Sequence, residues 1–400
     1  MTLYVYNTLT GNKERFEPLK APAVNMFCCG PTVQDLMHIG HARTYIFYDI
    51  LSRYLERIGF RVNFIMNVTD IDESLVDASD DTNMSLPDFV NRQISNYLED
   101  FGVLRITSVN SFIKVSNYIN EMIEQTSILL KKGYAYTSDG IIYFDTNRSK
   151  HFGELSHESR SRLRLRPVEL AEGKKDLLDF ALWRRAPREE LAYESPWGSG
   201  WPGWHIQDTA VTISMFGAQY DIHGGAYELI YPHHEAEIAQ AEAITGIRPF
   251  VKYWIHCGLV KIDGKKMSKS EGNIIYARNA ARKYGVDSLR LYMMSGRYRD
   301  DMNYKEDQLA LVKEEYERMV DIISPYDEKK SDASTVSKLL QLFYGFLDND
   351  MDIYGSASMI RKIFTTETAF GIPYTKNDMK RFLSEVSSVL GVDLVGSGRV

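Results

Sequence analysis

Two short segments of this chain hold residues whose types and spacing suit phosphate chemistry. His38-Ile-Gly-His41 sets two imidazoles three positions apart beside a glycine. Imidazoles can donate to oxygens that gain charge during a reaction, and the bare backbone at Gly40 leaves room for a nucleotide. Far downstream comes Lys265-Lys-Met-Ser-Lys-Ser-Glu-Gly272, preceded by Gly264. Its composition is that of a loop. Its lysines suit the clamping of a leaving pyrophosphate, with the serine hydroxyls as extra donors. H-x-G-H alone is also compatible with a structural pair, and a charge run alone with solvated surface. The two together are far more specific.

The elements around them alternate between strand and helix patterns. Val24–Cys29 is a short apolar run closed by Gly30-Pro31, which reads as a buried strand. From Ile39 to Ile58 apolar residues recur at helical spacing, and Gly59 stands where a helix would end. Arg61–Val68 is the next strand. Strand, helix and strand over 24–69 form the unit of a parallel, doubly wound sheet. His38 and His41 thus fall at a helix start, where free backbone N–H groups favour phosphate. Further helices are expected at Leu86–Phe101, Asn117–Lys132, Gln207–Phe216, after His233, at Asp287–Ser295 and at Lys305–Ile323. Strands are expected near 141–145 and at Tyr253–Val260, and a polar linker at 325–332. Four arginines in Glu158–Pro167 read as a solvated loop or, alternatively, an RNA contact.

Composition limits the alternatives. The 400 residues are 44% hydrophobic and 25% charged, with a formal net charge of −7, so a generally basic nucleic-acid binder is excluded. Three cysteines exclude a disulfide scaffold. Apolar runs fall well short of the roughly 20 residues of a membrane span. The amino terminus has no basic, then apolar, leader pattern. A cytoplasmic, reduced enzyme is expected.

His38–His41 and Lys266–Ser270 resemble the two signature motifs of class I aminoacyl-tRNA synthetases. Cys29-Gly30 before the first motif, then Asn67–Asp72, Pro202–Ile206, His223-Gly-Gly225, Pro232–Glu237, Met294–Arg299 and Asn303-Tyr304, stand in an order similar to the cysteinyl branch, over roughly residues 1–325. The resemblance implies an α/β, Rossmann-like, doubly wound parallel-sheet catalytic domain with an inserted domain and a C-terminal helical region. The halves of the catalytic domain are expected at 1–110 and 201–260, split by a connective region at 111–200. The signature loop and stem-contact helices occupy 261–325, and a short helical region 326–400.

The resemblance also implies roles. His38, His41, Lys266 and Lys269 would be catalytic, and Gly40 and Ser268 would join them around ATP and its Mg²⁺. Gly30, Thr69, Trp204 and Glu228 would hold L-cysteine, with Glu228 where the family usually has aspartate. His205 and His234 fit a nearby imidazole cluster. The family's zinc would be held by Cys29, His233 and Glu237, the last two sharing one helix face; the second family cysteine falls at Asp208. All four residue types bind zinc, and a soft ion selects a thiolate over a hydroxyl. Three readings stay open: zinc with Asp208 as ligand, zinc on three ligands with an altered fourth, or a lost metal and changed specificity. Cys28 should point to the opposite face of its strand, and Cys257 reads as a buried small residue.

About 50 residues follow Asp348–Asp352, and the resemblance leads us to expect the family's anticodon-binding module to be truncated or absent. The implied acceptor is the 3′ end of tRNA-Cys, laid over the inserted domain and the 286–323 helices. The alternative is a small-molecule amine, as in the mycothiol-type cysteine ligases. The sequence leaves the oligomeric state open.

Overall fold

The computed structural model describes residues 2–167, 173–267, 272–323, 331–366 and 368–396. Its central sheet has five parallel strands: β1 (Ala23–Cys28), β2 (Arg61–Val68), β3 (Ser111–Lys114), β4 (Tyr220–Ala226) and β5 (Val251–Cys257). Their order is β5-β4-β1-β2-β3. The chain runs outward from β1 on one side, then returns to build the other side from β4. That reversal leaves a crevice at the carboxyl ends of β1 and β4, where open α/β sheets bind ligands. The expected α/β, doubly wound class is the one observed.

Side chains alternate across the sheet. Met26, Cys28, Phe64 and Met66 join one hydrophobic core, and Phe27, Cys29, Ile65 and Trp254 the other. Cys28 therefore packs away from Cys29, as expected, and Cys257 is buried in the Cys28 core. Helix α1 (Ile39–Arg57) crosses from β1 to β2 and buries Tyr45, Ile46, Leu51, Tyr54 and Leu55. Helices α2 (Trp204–Phe216) and α3 (Glu235–Thr245) flank β4 in sequence and pack on each other.

Between β3 and β4 lies a second, antiparallel sheet: Ala135–Ser138, Ile141–Phe144, Phe180–Arg184 and Trp201–Pro202. The arginine segment beside it is tied down internally. Arg160 and Arg164 pair with Asp176, at 3.2 and 2.5 Å, and Arg162 with Glu158 at 3.2 Å.

Three C-terminal helices, Ala333–Asp348, Ile353–Thr365 and Lys376–Leu390, pack back on the catalytic core. Asp350 accepts from Tyr6 N (2.7 Å), the Tyr298 hydroxyl (2.8 Å) and Arg299 Nε (3.1 Å). Most expected helices are present within a few residues of their expected ends. Glu73–Asp81 and Ala277–Tyr284 are additional helices the apolar pattern does not reveal. The linker expected at 325–332 falls largely outside the described residues.

Candidate active site

The chain leaves β1 at Cys28 and turns immediately into the crevice. Cys29 N donates to Gly224 O of β4 (3.0 Å), and Gly30 N donates to Asn67 Oδ1 of β2 (2.6 Å). A Cβ at position 30 would stand 1.7 Å from Asn67 O, so only glycine lets the strands approach here.

His38 is the N-cap of α1. Its Nδ1 accepts from Gly40 N (3.1 Å) and His41 N (3.2 Å), which leaves the ring proton on Nε2. Ile39 N donates to Ile275 O (2.9 Å) and Ala42 N to His38 O (3.1 Å). The first turn is therefore saturated. The free backbone donors expected for phosphate are absent there, because the cap residue is itself one of the motif histidines. An anion bound there would have to be met by side chains. The two rings stack at 3.7 Å, and His41 Nδ1 lies 3.4 Å from the Tyr97 hydroxyl. Burial pushes both histidines below their ordinary range, so both are neutral at pH 7.

The second motif meets the first. Residues 275–277, just after the loop, bond to Met37 and Ile39. Met267 Cε lies 3.1 Å from where a Gly40 Cβ would stand. His38, His41, Lys266 and Met267 line one cavity of about 540 Å³, together with Cys29, Gly30, Trp204 and Glu228. Lys266 Nζ is paired with the Glu228 carboxylate. Ser268 and Lys269 lie outside the described residues. Thr69, buried, sits behind the cavity wall, where its hydroxyl accepts from Asn67 Nδ2 at 3.3 Å. A larger hollow of about 890 Å³ lies between the helices Glu306–Ile323 and Ile353–Thr365; among the described residues that line it there is no histidine, cysteine or lysine.

Behind the cavity wall lies a buried cluster. Cys29, Asp208, His233 and Glu237 bring one donor atom each within 4.8 Å of one another. Asp208 Oδ2 is 3.4 Å from Cys29 Sγ and 3.0 Å from His233 Nε2. Asn67 Nδ2 holds the other oxygen, Asp208 Oδ1, at 2.7 Å. His233 Nε2 also lies 3.0 Å from Glu237 Oε1. His205 Nδ1 contacts His233 Nδ1 at 2.9 Å, and Trp204 stacks on His233 at 4.1 Å. Two further imidazoles face the thiol: His223 Nε2 at 3.2 Å and His234 Nε2 at 3.1 Å. An irregular helical turn at Ile230–His234 lets the adjacent His233 and His234 face different partners.

The residues present fit a cation. Glu237 is fully buried, and among the described residues its oxygens meet imidazole nitrogens alone, Oε1 3.0 Å from His233 Nε2 and Oε2 3.5 Å from His223 Nδ1, with no backbone or hydroxyl donor. A buried carboxylate left so is costly without a counter-ion. Burial, then Asp208 and Glu237, push the Cys29 thiol up. Burial pushes Glu237 up as well. Burial alone would lower His233, but Glu237 and Asp208 carry it upward. The cluster thus holds on to protons that a divalent ion would displace.

Sequence reasoning quoted Asn67 and His223 without giving either a role, and it did not single out His256, which joins His234 Nδ1 at 2.8 Å. The available signal was a histidine within β4 and another near the end of β5, strands that lead into the crevice.

Sheet order, crevice and paired motifs define a class I aminoacyl-tRNA synthetase catalytic domain. Solved structures agree on the fold. The methionyl-tRNA synthetase of Mycobacterium tuberculosis, in complex with methionyl-adenylate, superposes with a TM-score of 0.64 at 15% identity, covering 94% of this chain and 91% of that one. The Agrobacterium radiobacter leucyl enzyme, in a ternary complex with tRNA, gives 0.65 at 10% identity, covering 95% and 84%. The family described as tRNA synthetases class I (C) catalytic domain matches residues 15–314. Cysteine--tRNA ligase of Thermoplasma acidophilum is 42% identical over 84% of this chain and 73% of its own length; that of Bacillus pumilus is 37% identical over 98% and 88%. The chain belongs to the cysteinyl-tRNA synthetase family. Among the described residues no helix is long and apolar enough to cross a membrane.

Proposed function

We propose that the chain activates L-cysteine with ATP and transfers it to the 3′ end of tRNA-Cys. The observation that supports this reading best is one cavity lined by His38, His41 and Lys266, with Cys29 in its wall. An oxygen of the cysteine carboxylate attacks the α-phosphorus of Mg²⁺-bound ATP. The bond to the bridging β-oxygen breaks, and pyrophosphate leaves. The terminal ribose hydroxyl of the tRNA then attacks the carbonyl carbon, and AMP leaves.

His38 and His41, neutral and stacked, donate to the phosphate oxygens as charge develops. Lys266, and Lys269 beyond the described residues, take the charge of the departing pyrophosphate. Glu228 receives the substrate's ammonium group. Trp204 and Gly30 bound the side-chain pocket, and Asn67 fixes the approach of Gly30. Cys29, Asp208, His233 and Glu237 would hold a zinc ion. When bound, that ion supplies a soft Lewis acid that favours a thiolate over the serine hydroxyl.

Nothing observed favours an amine acceptor, and the relatives matched over nearly the whole chain are cysteine--tRNA ligases. The test is ATP–pyrophosphate exchange, followed by charging of tRNA-Cys. Exchange driven by cysteine and at least a hundredfold less by serine is expected. Absence of cysteine-dependent exchange at saturating ATP would overturn the proposal.

A further inference from the structure

The hairpin that carries Lys266 hangs from two pieces of backbone. Gly258 and Leu259 lead from the end of β5 into its strands, Val260–Ile262 and Lys265–Lys266. On its other side Val260–Ile262 pairs with Met302–Tyr304, which the chain reaches through residues 297–301. Both pieces meet on one guanidinium. Arg43 Nη1 donates to Gly258 O (3.0 Å) and Leu259 O (3.2 Å), and Nη2 donates to Arg297 O (3.0 Å) and Asp300 O (2.7 Å). Arg43 belongs to α1, two residues beyond His41. We propose that Arg43 is a positioning residue for the activation step, fixing the Lys266 hairpin against the helix that presents His38 and His41.

Helix geometry separates the two roles. Residues two apart on a helix point roughly 200° apart, so His41 faces the cavity while Arg43 faces the hairpin's base and lines the larger hollow beside it. Arg43 is buried, and all four of its acceptors are main-chain carbonyls. They converge because backbone approaches backbone: a Cβ on Gly258 would stand 2.3 Å from Asp300 O. Without the guanidinium these four oxygens would crowd one another with no cation between them. A lysine is a poor replacement. Its ammonium donates from one point, whereas the planar fork reaches two pairs of oxygens at once.

The other bonds at the base do not involve α1. Gly258 N donates to Tyr298 O (2.8 Å), Met302 N to Leu259 O (2.7 Å), and Gly264 N at the hairpin's turn to Asn303 Oδ1 (2.9 Å). They join the hairpin to residues 298–303 and leave its place relative to the histidines open. Beyond the signature loop the chain returns to α1, where Ile275 O accepts from Ile39 N (2.9 Å) and Ala277 N donates to Met37 O (2.8 Å). Arg43 is the matching anchor before the loop. The lysines are thus held from both sides against the same stretch of chain that holds the two imidazoles.

The proposal rests on the ATP reading above, and wild-type exchange judges that reading first: no cysteine-dependent exchange removes both. With exchange present, a double-mutant cycle judges Arg43. Arg43→Lys, Lys266→Ala and the double variant of the full chain are compared by ATP–pyrophosphate exchange. Arg43→Lys should lower kcat/KM for ATP about a hundredfold, the cost of displacing a reacting group by roughly 1 Å, while cysteine affinity measured without ATP stays within threefold. In the Lys266→Ala background the same change should cost less than tenfold, because a group it positions is gone. Equal losses in both backgrounds would mark Arg43 as a residue of general stability and overturn the proposal, as would a fully active Arg43→Lys. Chemical rescue is the second test. Because Arg43 lines the hollow, millimolar guanidinium should raise exchange at least tenfold in Arg43→Ala and not in Lys266→Ala, with urea inert in both. Equal rescue of the two, or none in a folded Arg43→Ala, overturns the proposal; if Arg43→Ala does not fold, the cycle with Arg43→Lys decides.

Discussion

Lys266 and Glu228 are joined by an ion pair across the mouth of the cavity. The first lysine of the signature loop therefore occupies the carboxylate assigned to the substrate's ammonium group. Cysteine that takes Glu228 frees Lys266 for the triphosphate, so the two substrates should bind with positive coupling. Both groups are largely solvated, which keeps the pair weak and exchange easy. We expect cysteine to lower the ATP dissociation constant several-fold in the wild type, and this effect to vanish in Glu228→Gln, whose KM for cysteine rises about tenfold. Equilibrium ATP binding with and without cysteinol reads the coupling; an unchanged coupling in Glu228→Gln refutes the exchange.

Asn67 orients Asp208 for the ligand role proposed for it. Its amide holds Asp208 Oδ1 at 2.7 Å and so turns Oδ2 toward Cys29 and His233. Loss of such an outer contact costs about 10–100-fold in metal affinity. Asn67→Ala should show that loss in a zinc competition with a chromophoric chelator. Affinity within twofold of the wild type would mean that Asp208 needs no such support.

The sequence made part of this arrangement legible. Short apolar runs revealed β1 and β2, and helical spacing revealed α1, because each element buries a face of its own. The two motifs could be paired because their residue types suit one triphosphate. The saturated first turn of α1 was not legible, since it depends on the His38 rotamer and on residue 275 arriving from far along the chain. The resemblance placed His234 in an imidazole cluster, but the approach of His223 to Cys29 and of His256 to His234 was not legible, since it requires β4, β5 and the start of α3 to be placed first. The helix Glu73–Asp81 escaped because it buries only Leu75, Val76 and Ser79, too little for a periodic stripe.

The close passage of β1 over β2 gives a backbone prediction. Gly30→Ala would force its Cβ onto Asn67 O, at 1.7 Å. Backbone cannot yield as a side-chain end does. Destabilisation of about 1–3 kcal/mol is expected, along with a loss of pyrophosphate exchange larger than the stability change explains, because Cys29 and Asn67 move together. Urea unfolding and exchange assays on the same preparation check this; a variant as stable and active as the wild type contradicts the close approach.

Arg290, on the helix Val286–Met293, and Asp49, on α1, form a fully buried ion pair at 2.7 Å. Arg290 also donates to Leu390 O at 2.8 Å and Leu104 O at 2.9 Å, so one guanidinium spans the last helix and the segment before β3. Asp49 further accepts from the N–H groups of Thr107 and Ser108, each at 3.1 Å. Arg290→Met keeps much of the bulk but strands the carboxylate, and removal of one partner of a buried pair costs about 3–5 kcal/mol. The penalty should depend on pH. Burial would raise the Asp49 pKa, but Arg290 and Arg53 hold it below the ordinary value of 3.8. A depressed carboxylate contributes stability that is fully present above its unfolded pKa and is lost as pH falls through the folded one. In Arg290→Met the stranded group instead takes up a proton readily, which removes the cost of its charge. The stability gap between wild type and variant should therefore be largest at neutral pH, begin to narrow as pH falls through the raised pKa of the stranded carboxyl, and go on narrowing below about 4, where the wild-type pair is itself protonated. Urea unfolding at pH 7 and pH 3.5 measures both gaps, and a gap of equal size at the two values would show that the ion pair is not its source.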